Sequence, residues 1–174
     1  MRIEETMLHD THGATRSTYL RKKRRQPMSN AKVTEKLNGL LASSAVFYQK
    51  LRNYHWNVKG DDFFELHAIF EDLYTRWAEH VDIIAERILM LGERPYSTLA
   101  ELLEHASIKE DVEVKASRDM VASLVSDFGL LQKQILGIID DAENQADRKT
   151  ANVLDDLNDE IEKDAWMFNA WLAK

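Results

Sequence analysis

Apolar residues recur at intervals of three and four along most of this chain, the spacing that places them on one face of an α-helix. The first run begins at Ala31 and stops at Gly60, and the second extends from Phe63 to Gly92, with Pro95 beyond it. Glycine and proline commonly follow the last residue of a helix because both fit poorly in its interior. Each run therefore predicts one long helix.

The same period continues to the end of the chain. The predicted elements are a short helix from Ser97 to Leu103, a third long helix from near Glu110 through Ile138, an acidic turn at 140–147, and a fourth long helix from Val153 to Leu172. Six glycines and two prolines in 174 residues leave little turn chemistry for a β-sandwich, a barrel or a doubly wound sheet. The sequence predicts an all-α four-helix bundle with a short helix between helices 2 and 3.

Residues 1–28 lack this period and differ from the remainder in charge. Residues 1–27 contain seven Lys and Arg against three acidic residues, a charge of +4, whereas the rest of the chain carries −11. We therefore divide the chain into a flexible basic arm, residues 1–28, and a bundle domain, residues 29–174. A basic arm on an acidic body is typical of proteins that contact a polyanion.

Composition narrows the chemistry. The chain has no cysteine, so any metal must bind through nitrogen and oxygen, and a reducing compartment is expected. No apolar run approaches the 18 residues of a membrane span, and the N-terminus lacks the apolar core of a secretory signal. These features predict a soluble, cytoplasmic protein without a membrane partner.

The second predicted helix carries two pairs of potential metal ligands on one face. His67 and Glu71 are four residues apart, as are Asp82 and Glu86. At 100° per residue, Glu71 and Asp82 differ by only about 20° around the helix, yet they lie about 16 Å apart along it. Metal ligands lie about 2 Å from their ion, so one chain cannot bring both pairs to one ion.

Two interpretations of these pairs remain open on geometry alone. The acidic residues are either a solvated or salt-bridged stripe, which is common on helices, or halves of a site that a second, antiparallel copy completes. In the second case His55, near the end of the first helix, supplies a third ligand. The Glu-x-x-His motif of di-iron sites within one bundle is absent, because no histidine of the predicted helices has Glu three residues before it.

Three motifs together resemble those of the Dps family, the DNA-binding proteins from starved cells, which are miniature ferritins. They are Tyr54-His55-Trp56-Asn57-Val58-Lys59-Gly60, Phe64-x-x-His67-x-x-Phe70-Glu71 and Asp82-x-x-Ala85-Glu86-Arg87. The resemblance covers about residues 31–173. It implies a ferritin-like bundle that assembles as a hollow homododecamer.

The resemblance also implies a function and a site. Dps cages are ferroxidases that oxidise Fe(II), typically with hydrogen peroxide and otherwise with dioxygen, and store Fe(III) as a mineral without an organic cofactor. Carried over to this chain, the ligands are His55, His67 and Glu71 of one subunit with Asp82 and Glu86 of its two-fold partner. Trp56 matches the family tryptophan beside the iron centre, where it supplies an electron or shields the site, although it also fits a simple packing role.

Two further features take their interpretation from the family. Acidic residues near the turn between helices 3 and 4 match the pore through which iron enters, and the candidates are Glu143, Asp147, Asp155 and Asp156. Some Dps proteins bind DNA through basic N-terminal arms, and the candidates are Arg16, Arg21, Lys22, Lys23, Arg24 and Arg25. The competing function is a structural, nucleoid-compacting DNA-binding protein in which the metal site is secondary.

Overall fold

The fold is entirely helical over the part of the chain that the structure describes. The computed structural model describes the backbone of residues 28–173 and the side chains of residues 31–173. Its helices are α1 (Met28–Asn57), α2 (Phe63–Met90), α3 (Leu99–His105), α4 (Ser117–Asn144) and α5 (Arg148–Leu172). The predicted four-helix bundle with a short fifth helix is thereby confirmed. The basic arm lies outside the described residues apart from Met28, where α1 begins.

Two helical hairpins, α1 with α2 and α4 with α5, pack against each other around one apolar core. A row of four aromatic rings crosses that core, with one ring from each of the four long helices. The ring of Phe47 in α1 lies edge-on to Trp77 of α2 at 4.6 Å and 5.2 Å from Phe128 of α4, and Phe128 lies 6.0 Å from Phe168 of α5. Offset and edge-on ring pairs add to the stability that burial alone provides.

The short helix α3 begins and ends later than predicted. Its N-cap is Thr98 rather than Ser97, and it extends beyond Leu103 to His105. The Thr98 hydroxyl accepts a hydrogen bond from the Glu101 backbone N–H, and the Glu101 carboxylate accepts one from the Thr98 N–H at 3.1 Å. This reciprocal capping box satisfies two backbone donors, which explains the choice of Thr98.

The predicted start of the third long helix near Glu110 is wrong, because α4 begins at Ser117. Val114, which fits the apolar spacing, is exposed and marks no buried helix face. The preceding segment is instead tied to α1 by a hydrogen bond that the Tyr54 hydroxyl donates to the Asp111 carboxylate. Burial, followed by this bond, raises the pKa of Tyr54, so the phenol keeps its proton.

The acidic turn predicted at 140–147 is also shorter than expected. Helix α4 continues through most of it, and only residues 145–147 connect α4 to α5. Asp141 in the last turns of α4 pairs with Lys32 at 2.9 Å and Lys36 at 2.7 Å, both from α1. These lysines offset the unfavourable position of a carboxylate near a helix C-terminus.

None of the helices among the described residues is both long enough and apolar enough to cross a membrane.

One ion pair lies inside the bundle. Lys50 of α1 and Asp127 of α4 are 5 % and 6 % exposed, and the lysine Nζ donates to the carboxylate at 2.6 Å. Burial raises the pKa of Asp127, whereas the bond from Lys50 opposes that shift. A buried pair of this kind contributes little net stability, but removing one partner leaves an uncompensated charge.

We therefore expect Lys50→Ala to lower the free energy of unfolding by about 3–5 kcal/mol. Chemical denaturation at fixed protein concentration measures the loss. Lys32→Ala is the matched control, because it removes an exposed lysine from a surface pair and should cost about 0–1 kcal/mol. Equal losses in the two variants would contradict the expectation.

Candidate metal centre

A short turn between α1 and α2 brings His55 and His67 together. Gly60 has a φ of +105°, a conformation that side-chain-bearing residues rarely adopt, and its carbonyl accepts a hydrogen bond from the Phe63 N–H at 3.1 Å. The chain reverses there, so the last turn of α1 lies beside the first turns of α2. The two imidazole rings stack with their centroids 3.8 Å apart.

The hydrogen bonds of these rings fix which nitrogen is available to a metal. The Nδ1 of His55 lies 2.8 Å from the His67 carbonyl, and the Nδ1 of His67 lies 2.9 Å from the His55 carbonyl. A carbonyl oxygen only accepts, so each Nδ1 must carry the proton and donate it. In a neutral imidazole the other nitrogen, Nε2, then keeps its lone pair. Both histidines are thus prepared to bind a metal through Nε2.

Glu71 completes a three-ligand group one helical turn after His67. One ligand atom from each of His55, His67 and Glu71 lies within 4.8 Å of the other two. His55 is buried, His67 is half-buried and Glu71 is exposed, so the group opens to the outside of the chain. Imidazole nitrogen with carboxylate oxygen suits Fe(II), Mn(II) or Zn(II).

Asp82 and Glu86 do not join this group. Both lie farther along α2 on its exposed surface, and the single chain gathers only His55, His67 and Glu71 among the described residues. None of Glu71, Asp82 and Glu86 forms an ion pair with any described residue, unlike Asp72 on the same helix, which pairs with Arg76. This absence of cationic partners disfavours the salt-bridge interpretation of the stripe.

Two aromatic residues that the sequence analysis left without a role support the histidines. Tyr74 lies edge-on to the His55 ring at 5.3 Å, and the Phe63 ring lies 5.0 Å from that of His67. Tyr74 is seven residues after His67, which places it on the same side of α2. That spacing is the only signal that the sequence offered for it.

Trp56 is 58 % exposed and contributes little to the core of the chain. The Arg52 guanidinium lies over its ring at 4.8 Å from the centroid, in a cation–π arrangement. Burial in the core of the subunit therefore does not account for this tryptophan.

The four acidic residues predicted to line a pore have different surroundings. Glu143, Asp155 and Asp156 are exposed. Asp147 instead caps α5 by accepting from the Thr150 N–H and bridges to Arg87 of α2 at 2.9 Å. Burial acts to raise the pKa of Asp147, but the bonds from Thr150 and Arg87 outweigh it and lower that pKa. The predicted DNA contacts, Arg16 and residues 21–25, lie outside the described residues.

Comparisons with known proteins identify the family. A family model described as a ferritin-like domain matches residues 34–174. The DNA protection during starvation protein of Brevibacillus brevis is 44 % identical over 136 residues, which are 78 % of this chain and 91 % of that protein. The chain belongs to the Dps family of ferritin-like proteins.

Solved structures agree with this Dps assignment. A Dps protein from Bacillus brevis superposes with a TM-score of 0.83 at 41 % identity, covering 84 % of this chain and 99 % of that one. A Dps protein from Vibrio cholerae O1, described as a member of a broad superfamily of ferritin-like diiron-carboxylate proteins, gives 0.81 at 41 % identity, covering 83 % and 91 %. The resemblance drawn from the sequence motifs is confirmed.

The histidine tautomers are open to direct measurement. We expect neutral His55 and His67 of this Dps chain to carry the proton on Nδ1, because each donates to a backbone carbonyl. Solid-state NMR of sedimented protein with ¹⁵N-labelled histidine distinguishes the two ring nitrogens. A His67→Gln variant assigns one signal and His55→Gln the other. An Nε2-protonated form of either residue would contradict the expectation.

The bridge at Asp147 predicts a pH-dependent contribution to stability. Its pKa is lowered in the folded chain, so the contribution is present above the unfolded pKa of about 3.9 and disappears as pH falls through the folded pKa. We expect Asp147→Asn to lower the melting temperature at neutral pH and to match the wild type in acid. Melting curves over pH 2–7 test this, and a pH-independent difference would refute it.

Proposed function

We propose that this chain is the subunit of a homododecameric cage that oxidises Fe(II) and stores the Fe(III) product. The principal support is the pair of histidines whose Nε2 atoms are left available beside Glu71. Asp82 and Glu86 have no ion-pair partner among the described residues, and they lie on the same face of α2 but too far along it to join the histidines. Dps membership provides the second line of support.

A two-fold, antiparallel pairing of α2 helices resolves this separation. In that arrangement the His67 and Glu71 end of one subunit meets the partner's Asp82 and the partner's Glu86. Two equivalent sites result, and their centres lie about 22 Å apart, because the ligand pairs are centred 15 residues from each other along α2. Each site then has two imidazoles and three carboxylates.

The chemistry proposed at the site is the oxidation of Fe(II) as substrate. Two Fe(II) ions each give up one electron, and hydrogen peroxide accepts both as its O–O bond breaks to give two hydroxide ions. Two-electron reduction in one place avoids release of hydroxyl radical. The histidine Nε2 atoms bind Fe(II), and the carboxylates, as hard anionic ligands, favour the Fe(III) product.

The resulting protein would protect DNA by consuming both Fe(II) and peroxide. Acidic residues at the α4–α5 end, with Glu143, Asp155 and Asp156 exposed, would raise the local concentration of Fe(II) where subunits meet. Asp147 is partly committed to Arg87, so of the four predicted pore residues it is the least available to a passing cation.

DNA binding by the basic arm is the second candidate function. Its support is the run of five cations at residues 21–25 together with Arg16. Twelve such arms on one particle would bind phosphates by avidity, without sequence preference and with steep salt dependence.

Two variants separate the functions. The double variant His67→Ala, Asp82→Ala should slow Fe(II) oxidation at least about 100-fold. Mutating a residue that only hydrogen-bonds to a metal ligand already lowers metal affinity or activity about 10–100-fold. The double variant should still retard DNA, whereas deletion of residues 1–26 should abolish retardation and leave oxidation intact. Stopped-flow absorbance after peroxide addition, sedimentation of the iron-loaded particle and gel retardation provide the readouts.

Glu65→Ala is the matched control, because Glu65 is an exposed acid on a different face of α2. Oxidation that survives the double variant, or that falls equally in Glu65→Ala, would contradict the shared site. Retardation that survives the deletion would refute the role of the arm. Iron that fails to sediment with an assembly of about twelve subunits would refute the cage.

A further inference from the structure

Two large, mostly exposed apolar side chains lie at the ends of the ligand stripe on α2, the row formed by His67, Glu71, Asp82 and Glu86. Phe64 is 86 % exposed and Leu89 is 59 % exposed, although both belong to a regular helix of the bundle. At 100° per residue, Phe64, Glu71, Asp82 and Leu89 lie within about 20° of one line along the helix. Exposed apolar groups that flank a row of ligands indicate a contact surface.

The proposed ligand pairing alone fixes the register of this contact. If His67 faces the partner's Glu86 and Glu71 faces the partner's Asp82, the two-fold axis passes midway between positions 76 and 77. Residues equally far from that point then face each other. Phe64 consequently faces the partner's Leu89, a match that was not used to choose the register.

Small residues occupy the centre of the same register. Thr75 faces the partner's Ala78, so no bulky side chain keeps the helices apart at the axis. The stripe therefore has apolar ends, ligands inside them and small residues in the middle. This order is symmetric about positions 76 and 77, as an antiparallel contact between two copies requires.

We propose that Phe64 and the partner's Leu89 close each shared iron site at the end remote from the two-fold axis. Phe64 precedes His67 by three residues and Leu89 follows Glu86 by three, so both lie about 4.5 Å beyond the ligands along the helices. Their contact excludes water from that end of the site and holds the ligand pairs in register. This inference rests on the shared site proposed above. It requires that the ligand stripe of α2 binds a second copy of this chain.

Cysteine crosslinking tests the register without background from native disulfides, because the chain has no cysteine. The double variant Phe64→Cys, Leu89→Cys should form disulfide-linked dimers on mild oxidation. Neither single variant should do so: the two copies of residue 64 are separated by 25 residues of helix, about 37 Å, against the roughly 4.4–6.8 Å between Cα atoms that a disulfide allows.

Phe64→Cys with Ile83→Cys is the matched control for the crosslink. Ile83 is also an exposed apolar residue of α2, but it lies off the stripe and about 9 Å out of register. Far-UV circular dichroism checks that each variant remains helical. Absence of the 64–89 crosslink, or equal crosslinking in the control, would overturn the register.

Iron release tests the closure itself. Under anaerobic conditions, 2,2′-bipyridine should remove bound Fe(II) from Phe64→Ala and from Leu89→Ala on the order of tenfold faster than from the wild type. Leu136→Ala, which truncates an exposed leucine of α4, should release iron at the wild-type rate. Unchanged release in the first two variants would overturn the closure.

The outcomes distinguish this inference from the proposed function. If the ligand variants abolish oxidation but the 64–89 crosslink fails, the iron site stands and this pairing falls. If the crosslink forms but the ligand variants oxidise iron normally, the helix pairing is supported. The iron site between the paired helices is then refuted, and the closure is overturned with it.

Discussion

The fixed rise of an α-helix, about 1.5 Å per residue, is the constraint on which the rest of this structure depends. It separates two pairs of candidate ligands that share one face of α2 but cannot reach a common ion. Only the pair at the N-terminal end has a histidine of α1 beside it. The two ends are therefore unlike and complementary, and the proposed two-fold, antiparallel pairing of identical chains is the simplest way to satisfy both.

The bundle orients the group of His55, His67 and Glu71 mainly through backbone atoms that the fold already places beside it. The His55 carbonyl at the end of α1 and the His67 carbonyl near the start of α2 orient the two imidazoles. The His55 carbonyl is among the last four of α1, which have no partner within the helix. Tyr74 and Phe63 hold the rings from the side. The apolar core supplies rigidity, whereas the ligands remain at its surface.

The sequence predicted the first two long helices better than it predicted the connections between the later ones. Helices α1 and α2 are long and strongly periodic, so their ends at Gly60 and Gly92 were placed to within a few residues. The start of α4 was placed too early because Val114 fits a helical period yet is exposed. The acidic residues at 140–147 predicted a turn, but α4 continues through Asn144, and only the fold reveals the two lysines of α1 that pair with Asp141.

The details of the centre were beyond prediction for a similar reason. The motifs predicted His55, His67 and Glu71 as ligands, and the structure brings the three together, but the tautomer of each histidine depends on a carbonyl of the neighbouring helix. The support from Tyr74 likewise arises only when α1 and α2 are packed. Contacts between elements that are separate in sequence leave no regular pattern in either one.

The position of the three-ligand group within the chain sets an order of events during synthesis. Residues 55–71 belong to one hairpin, so the group depends on local contacts, which form early in folding. In the proposed function, a newly made subunit would then bind metal before it has a partner. In the proposed cage two of the three carboxylates that favour Fe(III) arrive only with the second chain, so a solitary subunit would bind iron with an incomplete set of ligands.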